Sequence, residues 1–93
     1  MFKVPRVNVI ESDEGFSVEV LGRTGLLYTE GSKSMYIDSE ILASPGGIAV
    51  IKKSIHAWNP PHNKEIIDDT KRNTIIDNIR RAFGSQGDDI SVM

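Results

Sequence analysis

Pro60 and Pro61 stand side by side in the run Ser-Ile-His-Ala-Trp-Asn-Pro-Pro-His at residues 54–62. No chain carries such a pair through a helix interior or a central strand, because each proline fixes φ at about −65° and removes a backbone N–H. The pair also pushes Asn59 and Pro60 toward extended geometry. The chain is thereby cut in two, and a stiff connector delivers Trp58, its only tryptophan, to a reproducible place.

Before the connector the apolar residues recur at period two. Residues 6–21 read as a hairpin. Arg6 to Glu11 alternate loosely with Val7 and Val9 on one face, residues 12–15 supply a turn, and Phe16, Val18 and Val20 repeat against Ser17 and Glu19. A second turn at 22–25 leads to a short strand over 26–29, and a third at 30–33 leads to a longer one. There Met35, Ile37, Ser39 and Ile41 alternate with Tyr36, Asp38, Glu40 and Leu42. Ser44-Pro45-Gly46-Gly47 breaks the chain, and the run 48–51, β-branched but for one alanine, reads as a strand covered on both faces, with a helix as cover.

After the connector the period changes to that of a helix. Asp68 or Asp69 is placed to cap its N-terminus, where acid complements the helix dipole. Ile75, Ile76, Ile79, Ala82 and Phe83 fall on one stripe, Arg80 and Arg81 suit the last turn, and Gly84 stands where a left-handed C-cap would close the helix. Residues 89–93 form a short terminal strand or fray. Strands first and helix last predict an α+β fold: a curved antiparallel β-sheet with one C-terminal amphipathic helix packed on one face. With 93 residues, no repeat and no interdomain linker, residues 1–93 make a single domain.

A chain of 13 acidic and 11 basic residues, net −2, offers no electrostatic footprint for a phosphate backbone, which argues against nucleic acid as partner. Mild acidity does suit a basic protein. The absence of cysteine removes disulfides and thiolate zinc sites and fits a reducing cytoplasm. No window approaches the roughly 20 apolar residues of a membrane-spanning helix, and the first residues contain no apolar signal segment, so the chain reads as neither inserted nor secreted.

Bond-making chemistry finds little support in the residues. His56 and His62 are six apart across two prolines, unlike the i, i+4 pair of helical zinc motifs, and read as loop or surface histidines. The acid pairs at 13–14, 68–69 and 88–89 sit where caps and turns want carboxylates. The glycines at 46–47 lack the lysine and the strand-loop-helix setting of a phosphate loop. No catalytic set, metal site or cofactor is expected. Trp58 has two readings, a plug between sheet and helix or an interface anchor. Tyr28 and Tyr36 are the better interface candidates, Tyr36 because it shares a strand face with Asp38 and Glu40. A flat sheet face with one aromatic and two carboxylates suits a basic partner.

The pattern Ser54-Ile55-x-x-Trp58-x-Pro60-Pro61, the Ile66-Ile67 pair and Ile75-Ile76-x-x-Ile79 resemble the bacterial immunity protein 74 family. So does Tyr36-Ile37-Asp38-Ser39-Glu40 followed by a Gly-Gly pair and an apolar strand. The resemblance implies a small α+β protein of the bacterial cytoplasm, encoded beside a polymorphic or contact-dependent toxin, that binds the toxin's C-terminal domain and neutralises it. Many such toxins are nucleases with basic clefts, which an acidic surface is suited to cover.

Surface chemistry, not the resemblance, supplies the expected contact patch: Tyr36, Asp38 and Glu40, with His56, Trp58 and Asn59 from the connector. The expected protein is a non-enzymatic inhibitor, monomeric by preference. Its rivals are a homo-oligomeric interaction or regulatory domain that pairs sheet edges, and a small hydrolase built on a histidine and an aspartate.

Overall fold

A computed structural model describes residues 1–41 and 47–93. The strands are β1 (Phe2–Arg6), β2 (Val9–Ser12), β3 (Phe16–Val20), β4 (Gly25–Glu30), β5 (Lys33–Ile41), β6 (Gly47–Val50) and β7 (Asp89–Val92), and the helix is α1 (Asp69–Gly84). The strands form one sheet whose spatial order is the chain order. β1 to β6 run antiparallel, and β7 joins β6 in parallel. A parallel neighbour needs a crossover, and the connector with α1 provides it.

Alternation places the core. On β5, Met35, Ile37 and Ser39 are buried while Tyr36, Asp38 and Glu40 are exposed. The register keeps the inner rows in phase, with Ile10, Val18, Tyr28 and Met35 facing one another across four strands. A slip of one residue would turn each of these side chains outward. The inner face receives Ile75, Ile79, Ala82 and Phe83 from α1 and Ile55 and Trp58 from the connector. α1 touches β2 and β3 on one side and β7 on the other, so the sheet curls around it. The expected α+β architecture is the one that forms.

Four aromatic rings run through this core in sequence. Phe2 meets Phe16 edge-on at 5.9 Å, Phe16 stacks on Tyr28 at 6.0 Å, and Tyr28 stacks on Trp58 at 6.2 Å. Full burial of a large apolar side chain contributes roughly 1.5–3 kcal/mol, and the ring pairs add to it.

Several expectations need correction. The hairpin starts later than residue 6, because Phe2–Arg6 is a strand in its own right, paired with β2. Val7 does not share a face with Val9. It is exposed in the turn beside Asn8, whose φ of 68° is of the left-handed kind that asparagine tolerates better than most residues. Asp68 is the N-cap, its Oδ1 accepting from Lys71 N at 2.8 Å. Gly84 is not the left-handed cap: the helix ends on a right-handed Ser85, and the left-handed residue is Gly87, at φ 80°. Asp88 N then donates back to Phe83 O at 3.0 Å. Residues 89–92 form β7 and do not fray. The strand read at 48–51 is Gly47–Val50, where the neighbours Ala49 and Val50 are both fully buried, so both faces are covered. Leu42 and the break at 44–46 lie outside the described residues.

Candidate partner-binding surface

The outer face of β5 carries Tyr36, Asp38 and Glu40 at alternate positions, about 7 Å apart along the strand. Tyr36 is 45% exposed, yet its ring is fixed from beneath. Its hydroxyl donates to Thr24 O at 3.2 Å, and its ring lies over Gly25, where a Cβ would stand 2.6 Å from Tyr36 Cζ. Only a residue without a side chain leaves room for the ring to lie flat there. Beside it on the same face stand Leu27, its cross-strand partner, and then Glu19, ion-paired with Arg6 at 3.7 Å.

The free edge of β5 is sealed by the connector. β6 pairs only with Ser39 to Ile41, which leaves the first part of β5 without a strand neighbour on that side. Asn59 N donates to Ser34 O at 2.7 Å, and Asn59 Nδ2 to Ser34 Oγ at 3.2 Å. Further along, Asp38 N donates to Ser54 Oγ at 2.9 Å, and that hydroxyl donates to Ile51 O at 2.6 Å. Side-chain and backbone groups of the connector thus do what a further strand would do, and the edge is closed to other chains. The same bonds bring Asn59 and the exposed His56 alongside the β5 face, His56 Nδ1 lying 3.1 Å from Ser54 O. The connector chain reverses just beyond, where His62 N donates to Asn59 O at 3.1 Å around a cis Pro60–Pro61 bond.

Charge sets this face apart from most of the molecule. Glu11 pairs with Lys3, Glu14 and Asp77 with Arg81, Glu19 with Arg6, Glu30 with Lys71, Glu65 with Lys33, and Asp69 with Arg72. Asp68 is spent on its helix cap, and Asp89 accepts from Ile90 N at 2.8 Å. Asp13 pairs with the N-terminal amine, and among the described residues the carboxylates of Asp38, Glu40 and Asp88 enter neither an ion pair nor a cap, Asp88 standing apart between α1 and β7. Two exposed carboxylates without an ion pair follow the tethered aromatic ring along the strand.

Trp58 is not part of that surface. It is 2% exposed, stacked on Tyr28, with Lys33 Nζ and Lys71 Nζ 5.8 and 5.9 Å from its ring centre. Of its two readings the structure adopts the plug. Tyr28, read from sequence as an interface candidate, is fully buried as well. Its hydroxyl donates to Glu30 Oε2 at 2.7 Å and accepts from Asn78 Nδ2 at 2.9 Å, while Asn78 Oδ1 accepts from Arg81 at 2.8 Å. Burial pushes the Tyr28 hydroxyl well above its ordinary pKa. Burial would raise the Glu30 carboxyl too, but hydrogen bonds from Lys71 and Tyr28 outweigh it and hold that carboxyl below its usual value.

This network was missed in the sequence, although a signal was present: Asn78 sits within the apolar stripe of α1, between Ile75 and Ile79, and a polar residue there needs a buried partner. Gly25 left no signal of its own, since only the fold brings Tyr36 over it.

Among the described residues no group of three His, Asp or Glu side chains is placed to hold a metal ion, and no helix is long and apolar enough to cross a membrane. His56 is exposed and His62 partly so, both on the connector.

Comparison with known proteins gives one match. The family model described as Immunity protein 74 matches residues 17–92, from within β3 to the end of β7, and leaves β1 and β2 outside the match. No curated protein and no solved structure matches the chain.

Proposed function

The chain belongs to the immunity protein 74 family, and from that premise we propose that it neutralises one cognate bacterial toxin domain in the cytoplasm by stoichiometric binding, with the outer face of β5 laid over the toxin's active-site cleft. The observation that carries the choice of face is the unpaired Asp38 and Glu40 beside a Tyr36 seated on Gly25 and tethered at Thr24 O. Elsewhere most acidic side chains are paired or spent on caps, the exposed Asp88 excepted, so this face, where two carboxylates adjoin an aromatic ring, is where a basic surface gains most. Such a surface is what a nuclease-type toxin of a contact-dependent or polymorphic system presents to its substrate. His56 and Asn59 extend the patch along the sealed edge, and Trp58 holds the connector in place from inside the core.

The dimensions suit this role. A standard interface takes about 800 Å² from each partner, and a molecule of 37 × 27 × 22 Å has a face of that size. Because the ring and the strand are held before the partner arrives, little ordering cost falls on binding. The inhibitor does no chemistry and acts as a monomer. Against sheet-edge pairing between copies, β1 is blunted by Pro5, by the charged Lys3 and Arg6, and by a register shift between those two residues.

The test is to express the toxin domain encoded by the neighbouring gene with and without this protein, and to titrate the purified pair by calorimetry. Relief of toxicity with a 1:1 complex is expected. Toxicity that persists beside abundant folded protein, with no heat of binding, contradicts the proposal.

A further inference from the structure

The geometry of the β5 face points to the group it receives: we infer that Tyr36, Asp38 and Glu40 form a seat for an arginine side chain of the partner, its guanidinium stacked on the open side of the Tyr36 ring and hydrogen-bonded to the two carboxylates. This deepens the binding role proposed above and rests on it. One side of the ring is occupied by Gly25, and the phenol is tethered at Thr24 O, so the remaining side stays open in one orientation. A planar cation stacks on such a face, whereas an ammonium is a compact point charge that keeps its water.

Asp38 and Glu40 follow on the same side of the strand, and no cation among the described residues forms an ion pair with them, although Lys52 and Lys53 lie between the two residues bonded to the Asp38 backbone. Asp38 is further held at its backbone by Ser54. A guanidinium has five donors in a fixed fork, enough to serve a carboxylate in two-point fashion while lying on the ring. A phosphate-bearing partner is disfavoured at the same place, because two carboxylates free of ion pairs would repel it.

Two measurements test the seat. In the first, which needs no toxin, acetyl-Gly-Arg-Gly-amide is titrated into the labelled protein and amide shifts are mapped by NMR. Shifts are expected at Tyr36, Asp38 and Glu40, weaker with the lysine peptide, absent with the glutamate peptide, and lost in the folded D38N/E40Q variant. Shifts centred elsewhere, unchanged shifts in that variant, or equal shifts from a DNA oligonucleotide overturn the seat and leave the inhibitor role standing. In the second, D38N/E40Q is expected to weaken binding to the toxin domain by about 30-fold or more, an effect that shrinks as salt rises. Unchanged affinity overturns the seat alone, while a wild-type protein that binds no toxin at all overturns the inhibitor role and the seat with it.

Discussion

Tyr36 rests on Gly25, diagonally across the β4–β5 ladder, in which Gly25 pairs with Asp38. The one aromatic side chain exposed on the proposed contact face is therefore positioned by a residue with no side chain. Replacing Gly25 by alanine displaces the half-exposed ring, which is free to swing outward, so the cost to stability is expected to stay within about 1 kcal/mol. Affinity for the toxin domain should nevertheless fall several-fold. Urea denaturation followed by binding calorimetry separates the two effects: an unfolded G25A would contradict the small stability cost, and an unchanged affinity in the folded variant would show that the ring's position does not matter for binding.

Trp58 plays the opposite part, since it is buried and contributes through packing. Trp58→Ala removes the last ring of the stack and opens a cavity under the connector, a change expected to cost about 3–5 kcal/mol, while Trp58→Phe should cost markedly less. Circular dichroism during urea unfolding reads both.

The buried Tyr28 hydroxyl predicts the shape of the stability profile with pH. In the folded protein the hydroxyl holds its proton more tightly than in the unfolded chain, whose ordinary value is 10.0. The stability from this source is complete below that pH and declines as pH rises past it. Glu30 acts at the other end: its folded carboxyl lies below the usual 4.5, so its contribution is present above that pH and fades as pH falls through the lowered value. Tyr28→Phe should abolish the Tyr28 share of the alkaline decline. At neutral pH it should cost about 1–3 kcal/mol, because Asn78 Nδ2 and Glu30 lose their partner. Denaturation midpoints from pH 4 to 11 in wild type and variant measure this.

Ser54 closes the β5 edge at Asp38, and its loss should be felt there first. Ser54→Ala is expected to destabilise the protein by about 1 kcal/mol and to speed hydrogen exchange at the Asp38 amide more than at Ile37. Uniform acceleration along β5 would mean that the edge is held by other bonds.

Much of this arrangement was legible in the sequence, for reasons that lie in particular residues. β3 and the second half of β5 have one wet and one dry face, so Phe16-x-Val18 and Met35-x-Ile37-x-Ser39 display their period openly. The helix announced itself through the Asp68 cap and the isoleucine stripe. β1 was hidden because an edge strand exposed on both faces has nothing to alternate, and Pro5 lies within it. Gly84 and Gly87 both suit a cap by composition, and only backbone geometry decides between them. The Tyr36, Asp38 and Glu40 row was visible from alternation alone. What fixes it was not: Tyr36 over Gly25, Asn59 on Ser34, and Tyr28 bonded to Asn78 fifty residues away are products of the folded chain. Both readings of Trp58 suited its sequence, and burial chose between them.

Inhibition by this route requires that the β5 face meet the toxin. The most direct measurement is the affinity of the toxin domain for the double variant Asp38→Lys and Glu40→Lys, with thermal unfolding as the control for folding. Both side chains are exposed, so the melting transition should hardly move, while affinity drops by about 100-fold or more and protection in the co-expression assay is lost. A folded double variant that binds and protects as the wild type does would contradict the assignment of this face.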